Sequence, residues 1–137
     1  MTRTLALRDV SVGTTLPELP IAITTTMIIA GALASRDFTN LHHDKGAAQA
    51  GGMQDVFMNI LTTNGLVGRY VTDWAGPNAI VKSIFLRLGV PWYAYDTVTF
   101  AGEVVAVEGD LITLKVVGSI SLGDHVIAAA TLTIGGA

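Results

Sequence analysis

MQDVFMNILTTNGLVGRYVTDWAGP, residues 53–77, is the stretch that decides the fold. Its apolar residues recur at intervals of three and four, the period of a helix with one buried face. They are Met53, Val56, Phe57, Ile60, Leu61, Val67, Val71, Trp74 and Ala75. This spacing predicts an amphipathic helix over residues 53–75, ended by Gly76-Pro77. With a rise of roughly 1.5 Å per residue, such a helix is about 33 Å long, the length of a small domain.

Two glycines lie inside this predicted helix. Gly65 and Gly68 each weaken it by about 1 kcal/mol relative to alanine. A residue without a side chain lets another backbone or a ligand approach closely. Both positions therefore predict a close contact on the surface of the helix.

The segment before this helix predicts an edge strand and a short helix. Residues 12–24, VGTTLPELPIAIT, combine two prolines with β-branched residues, which suits a strand at the edge of a sheet. The threonines at 24–26 then offer an N-cap to MIIAGALASR, an apolar helix that ends near Asp37. The residues from there to Gly51 are expected to form a loop.

The segment after Pro77 reads as strand throughout. Its stretches rich in β-branched residues are 79–90, 97–108, 111–122 and 125–134. Two-residue Gly-Asp links at 109–110 and 123–124 predict antiparallel hairpins between the last three of these stretches. One long helix followed by antiparallel strands predicts an α+β fold in which a sheet wraps the helix.

Composition restricts the function. The chain has 137 residues, and we expect a single domain over residues 1–137. A net charge of −3 offers no basic surface for phosphates, which argues against a nucleic-acid-binding protein. The absence of cysteine excludes thiol nucleophiles, disulfides and zinc–thiolate sites. No apolar run approaches the roughly 20 residues that cross a bilayer, so we expect a cytoplasmic protein.

The hydropathy of the chain predicts a partner. Its mean hydropathy of +0.54 is high for a small monomer, whose large relative surface normally carries more charge. We therefore expect a large apolar face that another chain covers.

Residues 35–51, SRDFTNLHHDKGAAQAG, concentrate the polar chemistry of the chain. They include Arg36, Asp37, His42, His43 and Asp44. No GxSxG, Walker, GxGxxG or HExxH motif occurs in the sequence. A metal site at residues 42–44 is disfavoured, because consecutive residues rarely converge on one ion. Asp44 is instead expected as the first-turn acid of a helical segment that follows.

Asp37 and His42 form the candidate catalytic pair. On a continuous helix they would point about 140° apart, so they can share a pocket only if the helix ends between them, as Thr39-Asn40 permits. A carboxylate and an imidazole facing one volume can bind a water, take its proton and return a proton to a neighbouring carbon, which adds water to an activated double bond. The alternative is that Asp37 merely ends a helix and the histidines are solvated. His125, after a predicted turn, is expected on the surface at the end of a strand.

DFTNLHHD, residues 37–44, resembles the D-x-N-P-L-H-x-D signature of the MaoC-like, or R-specific, enoyl-CoA hydratases of the hotdog superfamily. The resemblance covers almost the whole chain. It implies a hotdog fold in which Asp37 and His42 activate the water. Thr39 and Asn40 depart from the Asn and Pro of the family, which leaves the rigidity of the loop open but retains the acid and the base.

A second departure concerns the site for the thioester oxygen. The family begins its long helix with His-Gly-Met, whose glycine N–H helps to hold that oxygen, whereas by spacing from His42 this chain has Asn59-Ile60-Leu61. Every residue except proline retains its backbone N–H. The resemblance therefore implies that Ile60 donates to the developing enolate. Asn59 is otherwise a polar residue that needs a partner within an apolar stripe.

Residues 55–104 are most similar to the small subunits of actinobacterial steroid side-chain hydratases. Those subunits pair with a second hotdog chain. The resemblance therefore implies a hetero-oligomer that hydrates a steroid enoyl-CoA thioester and uses no cofactor beyond the coenzyme A of its substrate. The residues that bind coenzyme A are not identified, because Lys82, Arg87 and Arg69 suit phosphates, solvent and salt bridges equally.

Two other functions remain open from the sequence. A non-catalytic hotdog subunit would only shape the site of a partner, although Asp37 and His42 both stand at the spacing of the motif. A hotdog thioesterase would need a carboxylate near the middle of the predicted helix, whereas Asp55 and Asp73 lie towards its ends.

Overall fold

Five antiparallel strands form one sheet in the computed structural model, which describes residues 4–135. The strands are β1 (Thr15–Ala22), β2 (Ala79–Leu88), β3 (Thr97–Glu108), β4 (Leu111–Ile120) and β5 (Gly123–Ile134). Their order in the sheet is β1-β3-β4-β5-β2, and all neighbours are antiparallel. The predicted α+β fold is confirmed, and so is the edge position of β1, where Pro17 and Pro20 are tolerated.

Three α-helices accompany the sheet in the described part of the chain. They are α1 (Thr25–Ala34), α2 (Lys45–Ala50) and α3 (Ile60–Ala75), and a 3-10 turn at Asn40–His42 separates α1 from α2. The predicted cap of α1 is confirmed, since Thr24 accepts a hydrogen bond from the Met27 N–H. In the part of the chain that the structure describes, no helix is long and apolar enough to cross a membrane.

Helix α3 packs its apolar stripe against the sheet, where it contacts β1, β2 and β5. The side chains of α3 that the fold buries are Thr63, Val67, Tyr70, Val71 and Ala75. Full burial of each large apolar side chain contributes roughly 1.5–3 kcal/mol. The Tyr70 ring also stacks on Phe100 of β3, with ring centroids 5.7 Å apart. These contacts fix the position of α3 against the sheet, as the amphipathic spacing predicts.

The predicted start of the central helix is wrong by seven residues. Helix α3 begins at Ile60, and the preceding segment is extended: the Met58 N–H donates to the Trp92 carbonyl at 2.9 Å, and Phe57 forms a β-bridge with Tyr93. Apolar residues in this segment are buried because it lies against the core, which gives it the same spacing as a helix face. The helix itself is about 24 Å long.

The residues expected to form one loop contain helix α2. The Asp44 carboxylate accepts a hydrogen bond from the Ala47 N–H at 3.0 Å and caps this helix, in agreement with the acid predicted at its start. The cap holds α2 directly after the 3-10 turn that carries His42.

One of the two predicted hairpin turns is misplaced. The turn between β3 and β4 is Gly109-Asp110, as predicted, but the turn between β4 and β5 is Ser121-Leu122. Gly123 opens β5 with φ of 127°, a backbone conformation that glycine adopts without strain. The residues after it are therefore already inside the strand, which changes the expected environment of His125.

Within residues 4–135, no other part of this chain approaches Gly65 or Gly68 closely, and an approach by a ligand or another chain stays a prediction. A Cβ at Gly65 would meet no atom within 4 Å, and one at Gly68 would make only an ordinary contact with Ile84. The close approach occurs instead at Gly31 of α1, where a Cβ would lie 2.6 Å from the Thr62 hydroxyl of α3. This contact brings the end of α1 beside the start of α3.

Candidate active site

Asp37 is positioned by the way in which helix α1 ends. The Arg36 N–H donates to the Leu33 carbonyl at 3.0 Å, and the Asp37 N–H donates to the Ala32 carbonyl at 2.9 Å. This pair of bonds is a Schellman motif, and Arg36 adopts its left-handed conformation with φ of 58°. A side chain in that conformation costs roughly 1–2 kcal/mol. The predicted break therefore occurs, but before Asp37 rather than between Asp37 and His42.

His42 lies in the 3-10 turn, buried and with a fixed ring orientation. Its Nδ1 lies 2.7 Å from the Phe57 carbonyl oxygen, and the two rings pack edge to face with centroids 4.8 Å apart. Because a carbonyl oxygen only accepts hydrogen bonds, Nδ1 carries the proton and the neutral ring has its lone pair at Nε2. This Nε2 lies 3.5 Å from Oδ2 of Asp37. The structure thus brings the two predicted residues together.

The Asp37 carboxylate is held through both oxygens. Oδ1 accepts a hydrogen bond from the Thr39 N–H at 3.4 Å, and Oδ2 accepts one from the Asn59 side chain at 3.1 Å. The bond from Asn59 is the largest influence on the pKa of Asp37 and lowers it; burial raises it in part, while Thr39 and His42 lower it further. The pKa falls below its usual value, so the carboxylate is ionised at neutral pH.

Asn59 is a residue of the site that sequence reasoning left without a partner. It is 1% exposed, and its Nδ2 donates to Ser35 Oγ at 2.9 Å as well as to Asp37. Its Oδ1 caps α3 by accepting a hydrogen bond from the Thr62 N–H. Asparagine is one of the preferred N-cap residues, and this preference is the signal that could have located both Asn59 and the start of the helix.

Ile60 is the first residue of α3, directly after the capping Asn59. The first four N–H groups of a helix have no acceptor inside it. Those of Thr62 and Thr63 are bonded to Asn59. Among residues 4–135, no acceptor is bonded to the Ile60 N–H. A helix N-terminus also carries partial positive charge, so the geometry suits the donor role that the resemblance implies.

A cavity of about 340 Å³ joins these groups. Asp37, His42 and Ile60 line one side of it, and Leu88 to Pro91 and His125 line the other. Its volume is at the lower end of the range for small-molecule sites.

His125 is buried rather than at the surface, so its predicted position is wrong. It is 2% exposed, its Nδ1 lies 2.8 Å from the Val90 carbonyl, and its Nε2 lies 2.9 Å from the Thr63 hydroxyl. The misplaced hairpin turn is the reason, because β5 begins two residues earlier. Burial lowers the pKa of His125 and outweighs the bond to Val90, which raises it. The ring is therefore neutral at neutral pH, and its two hydrogen bonds connect β5 to α3 and to the segment that follows β2.

Other candidate residues lie outside this arrangement. His43 is exposed, and Arg69 forms an ion pair with Asp73 at 3.4 Å, at the far half of α3. Asp55 precedes α3 and lies 3.7 Å from Lys45. Neither aspartate is near the middle of the helix, where a hotdog thioesterase would need one. In the described part of the chain, no three His, Asp or Glu side chains are grouped closely enough to hold a metal ion.

Two known proteins resemble this chain closely, one in sequence and one in structure. No family model matches the chain. It is 62% identical over 123 residues to the 3-oxo-4,17-pregnadiene-20-carboxyl-CoA hydratase beta subunit of Mycobacterium tuberculosis, a match that covers 90% of this chain and 95% of that protein. It is 61% identical to a chain in the crystal structure of the ChsH1–ChsH2 complex of the same organism, with a TM-score of 0.90 over 91% of this chain and 98% of that chain.

More distant structures show the same fold. The (R)-hydratase of A. caviae involved in PHA biosynthesis has a TM-score of 0.86 at 21% sequence identity. The match covers 93% of this chain and 99% of the hydratase chain. The five-stranded antiparallel sheet with α3 packed against it is therefore the hotdog fold. At 62% identity over 90% of its length, the chain belongs to the family of that mycobacterial hydratase beta subunit, and its fold is that of the R-hydratases. The predicted family and fold are confirmed.

Proposed function

We propose that this chain is the catalytic subunit of a hetero-oligomeric hydratase, which adds water across the α,β double bond of a steroid side-chain enoyl-CoA thioester. The observation that carries the proposal is the 3.5 Å separation of Asp37 Oδ2 and His42 Nε2 at one cavity. With Asp37 ionised and the proton of the neutral His42 ring on Nδ1, both atoms are acceptors, so a single water can donate one hydrogen to each.

The Asp37–His42 pair acts first as a base and then as an acid. As the water oxygen bonds to the β-carbon, one of its protons passes to the Asp37–His42 pair and the π electrons move to the thioester oxygen. The Ile60 N–H stabilises the resulting enolate. The pair then returns the proton to the α-carbon, which regenerates the thioester carbonyl and the starting state of the site.

The substrate class rests on the similarity to the mycobacterial hydratase subunit and on the surface around the site. Phe38 is 65% exposed, Ile60 48% and Leu61 50%, and all three lie next to the catalytic pair or at the start of α3. An apolar acyl group and a second chain would together cover these side chains. The coenzyme A thioester is the substrate, with no separate cofactor, and such a substrate favours a cytoplasmic enzyme.

The test is product analysis with and without the second chain. The purified complex of this chain with a co-produced hotdog partner is given 3-oxo-4,17-pregnadiene-20-carboxyl-CoA and, separately, crotonyl-CoA. We expect the steroid thioester to gain one water and to be preferred. Release of free coenzyme A would indicate a thioesterase. A homodimer with high activity on crotonyl-CoA, unaltered by any second chain, would contradict the hetero-oligomeric assignment.

A further inference from the structure

We propose that Asn59 is a positioning residue for the reaction: it holds Oδ2 of Asp37 towards His42 and, through the same side chain, fixes the start of α3 that presents the Ile60 N–H. This inference rests on the proposed function, because it assigns Asn59 a role only through Asp37 and Ile60. It goes beyond helix capping, which by itself would need only the Asn59 oxygen.

The orientation of the Asn59 amide is determined by its partners. The Ser35 hydroxyl donates its one proton to the Gly31 carbonyl at 2.7 Å, so its oxygen can only accept from Asn59. On the other side, the Thr62 N–H can only donate. The amide nitrogen therefore faces Ser35 and Asp37, and the amide oxygen faces α3.

Each hydrogen of the Asn59 amide nitrogen is then used. One goes to Ser35 at 2.9 Å and the other to Asp37 Oδ2 at 3.1 Å. The second bond reaches the same oxygen that lies 3.5 Å from His42 Nε2. Ser35 belongs to the end of α1, so the two bonds tie the end of α1 and the carboxylate to the first turn of α3.

The hydrogen bond from Asn59 stabilises the negative charge of Asp37. Among the described residues, His42 in the 3-10 turn is the titratable group that acts on the pKa of Asp37; Arg36 adjoins Asp37 in the chain, and His125 of β5 lines the same cavity. The first turn of α3 contains no acidic residue. A neutral donor at position 59 therefore stabilises the ionised carboxylate, and its hydrogen bond lowers the pKa of Asp37 more than either bond from Thr39 does.

The decisive variant is Asn59→Asp in the assembled complex. Aspartate caps a helix as well as asparagine does, so a residue that only capped α3 would tolerate the change. If Asn59 positions Asp37, the change replaces a donor by a second carboxylate, and like charges in one site raise the pKa of the pair. We expect a lower melting temperature at neutral pH, because the second buried carboxylate destabilises the folded state, and in the assembled variant the acidic limb of kcat/KM moves upward by about one pH unit or more.

Asn59→Ser is the matched control. Serine keeps the cap but is too short to donate to Asp37, and it adds no charge. We expect kcat to fall by about tenfold or more with KM little changed and a smaller upward movement of the acidic limb. If Asn59→Asp does not assemble, Asn59→Ser alone tests the positioning role. If Asn59 only capped α3, the Asn59→Ser variant would have the pH profile of the wild type.

Asp37→Asn measured in parallel distinguishes an error in the role of Asn59 from an error in the proposed function. If Asp37→Asn is inactive while both Asn59 variants keep the wild-type pH profile and kcat, the positioning role is wrong and the proposed function stands. If Asp37→Asn is fully active, the proposed function itself is wrong.

Discussion

His42 combines a chemical role with a structural bond, and the two can be separated. Its Nδ1 donates to the Phe57 carbonyl, while Nε2 faces Asp37. His42→Ala removes both and leaves a carbonyl unpaired, which costs roughly 1–3 kcal/mol of stability. His42→Asn supplies an amide N–H at the place of Nδ1 and has no counterpart of Nε2.

We therefore expect His42→Asn to keep the melting temperature close to that of the wild type while hydration falls by at least about 100-fold. Thermal unfolding and steady-state turnover of the same preparation check both parts. Turnover at the wild-type level in the folded variant would remove His42 from the mechanism.

His125 predicts a pH dependence of stability. Burial lowers its pKa in the folded protein, whereas an unfolded histidine titrates near 6.5. The unfolded state therefore binds more protons below that pH, so the stability that neutral His125 contributes is complete above about pH 6.5 and is lost as the pH falls.

The His125→Gln variant is the control, because its amide can donate to the Val90 carbonyl and accept from Thr63 without titrating. We expect the free energy of unfolding to fall more steeply from pH 7 to pH 5 in the wild type than in this variant, at equal protein concentration. Equal slopes would show that His125 takes up protons equally in the folded and unfolded states, so that its pKa is not lowered by folding.

Single residues were predictable from sequence only where local chemistry identified them. Asp37 and His42 lie within one motif, and its resemblance to the hydratase signature paired them where their spacing alone left the alternative open. The bond from Asn59 to Asp37 joins residues 22 positions apart and depends on the packing of α1 against α3 at Gly31. No short-range pattern contains that contact, which is why Asn59 had no predicted partner.

At the scale of elements, the start of α3 allows a direct test of the oxyanion donor. Proline is favoured at the first position of a helix, where its missing N–H is not needed by the helix. Asn59, with φ of −80° and ψ of 158°, already has the extended conformation that a residue before proline requires. Ile60→Pro therefore removes the proposed donor and leaves α3 able to form.

We expect Ile60→Pro to lower kcat by roughly 100- to 1,000-fold, the usual effect of losing one oxyanion donor. Ile60→Ala is the control, since it removes the same half-exposed side chain and keeps the N–H. The comparison uses kcat and melting temperature of both variants. Equal kcat in the two variants would assign no catalytic role to the Ile60 backbone.

The sheet elements were predictable because their signals are local, and the errors occurred where tertiary contacts imitate a local signal. Gly109-Asp110 forms a turn because both neighbouring strands end there. The Gly-Asp pair at 123–124 lies inside β5, because the strand pairing continues past it with a register shift near Gly118. Residues 53–59 likewise follow helical spacing only because the core buries them.

For the whole molecule, composition predicted an apolar face but could not locate it. The structure places exposed apolar side chains on the edge strand β2, where Phe85 is 81% and Ile80 59% exposed, and around the site, where Phe38 is 65% exposed. An edge strand with unpaired backbone groups and a cluster at the cavity are both surfaces that a second chain can cover. The proposed hetero-oligomer accounts for both.

The most direct test of the central claim, that this chain supplies the acid–base pair of the assembly, is turnover of 3-oxo-4,17-pregnadiene-20-carboxyl-CoA by the complex carrying Asp37→Asn. Product mass and chromatographic size are recorded for the wild-type and variant complexes side by side. We expect identical assembly and hydration slower by at least about 100-fold in the variant. A fully assembled Asp37→Asn complex that forms the hydrated thioester at the wild-type rate would contradict the account.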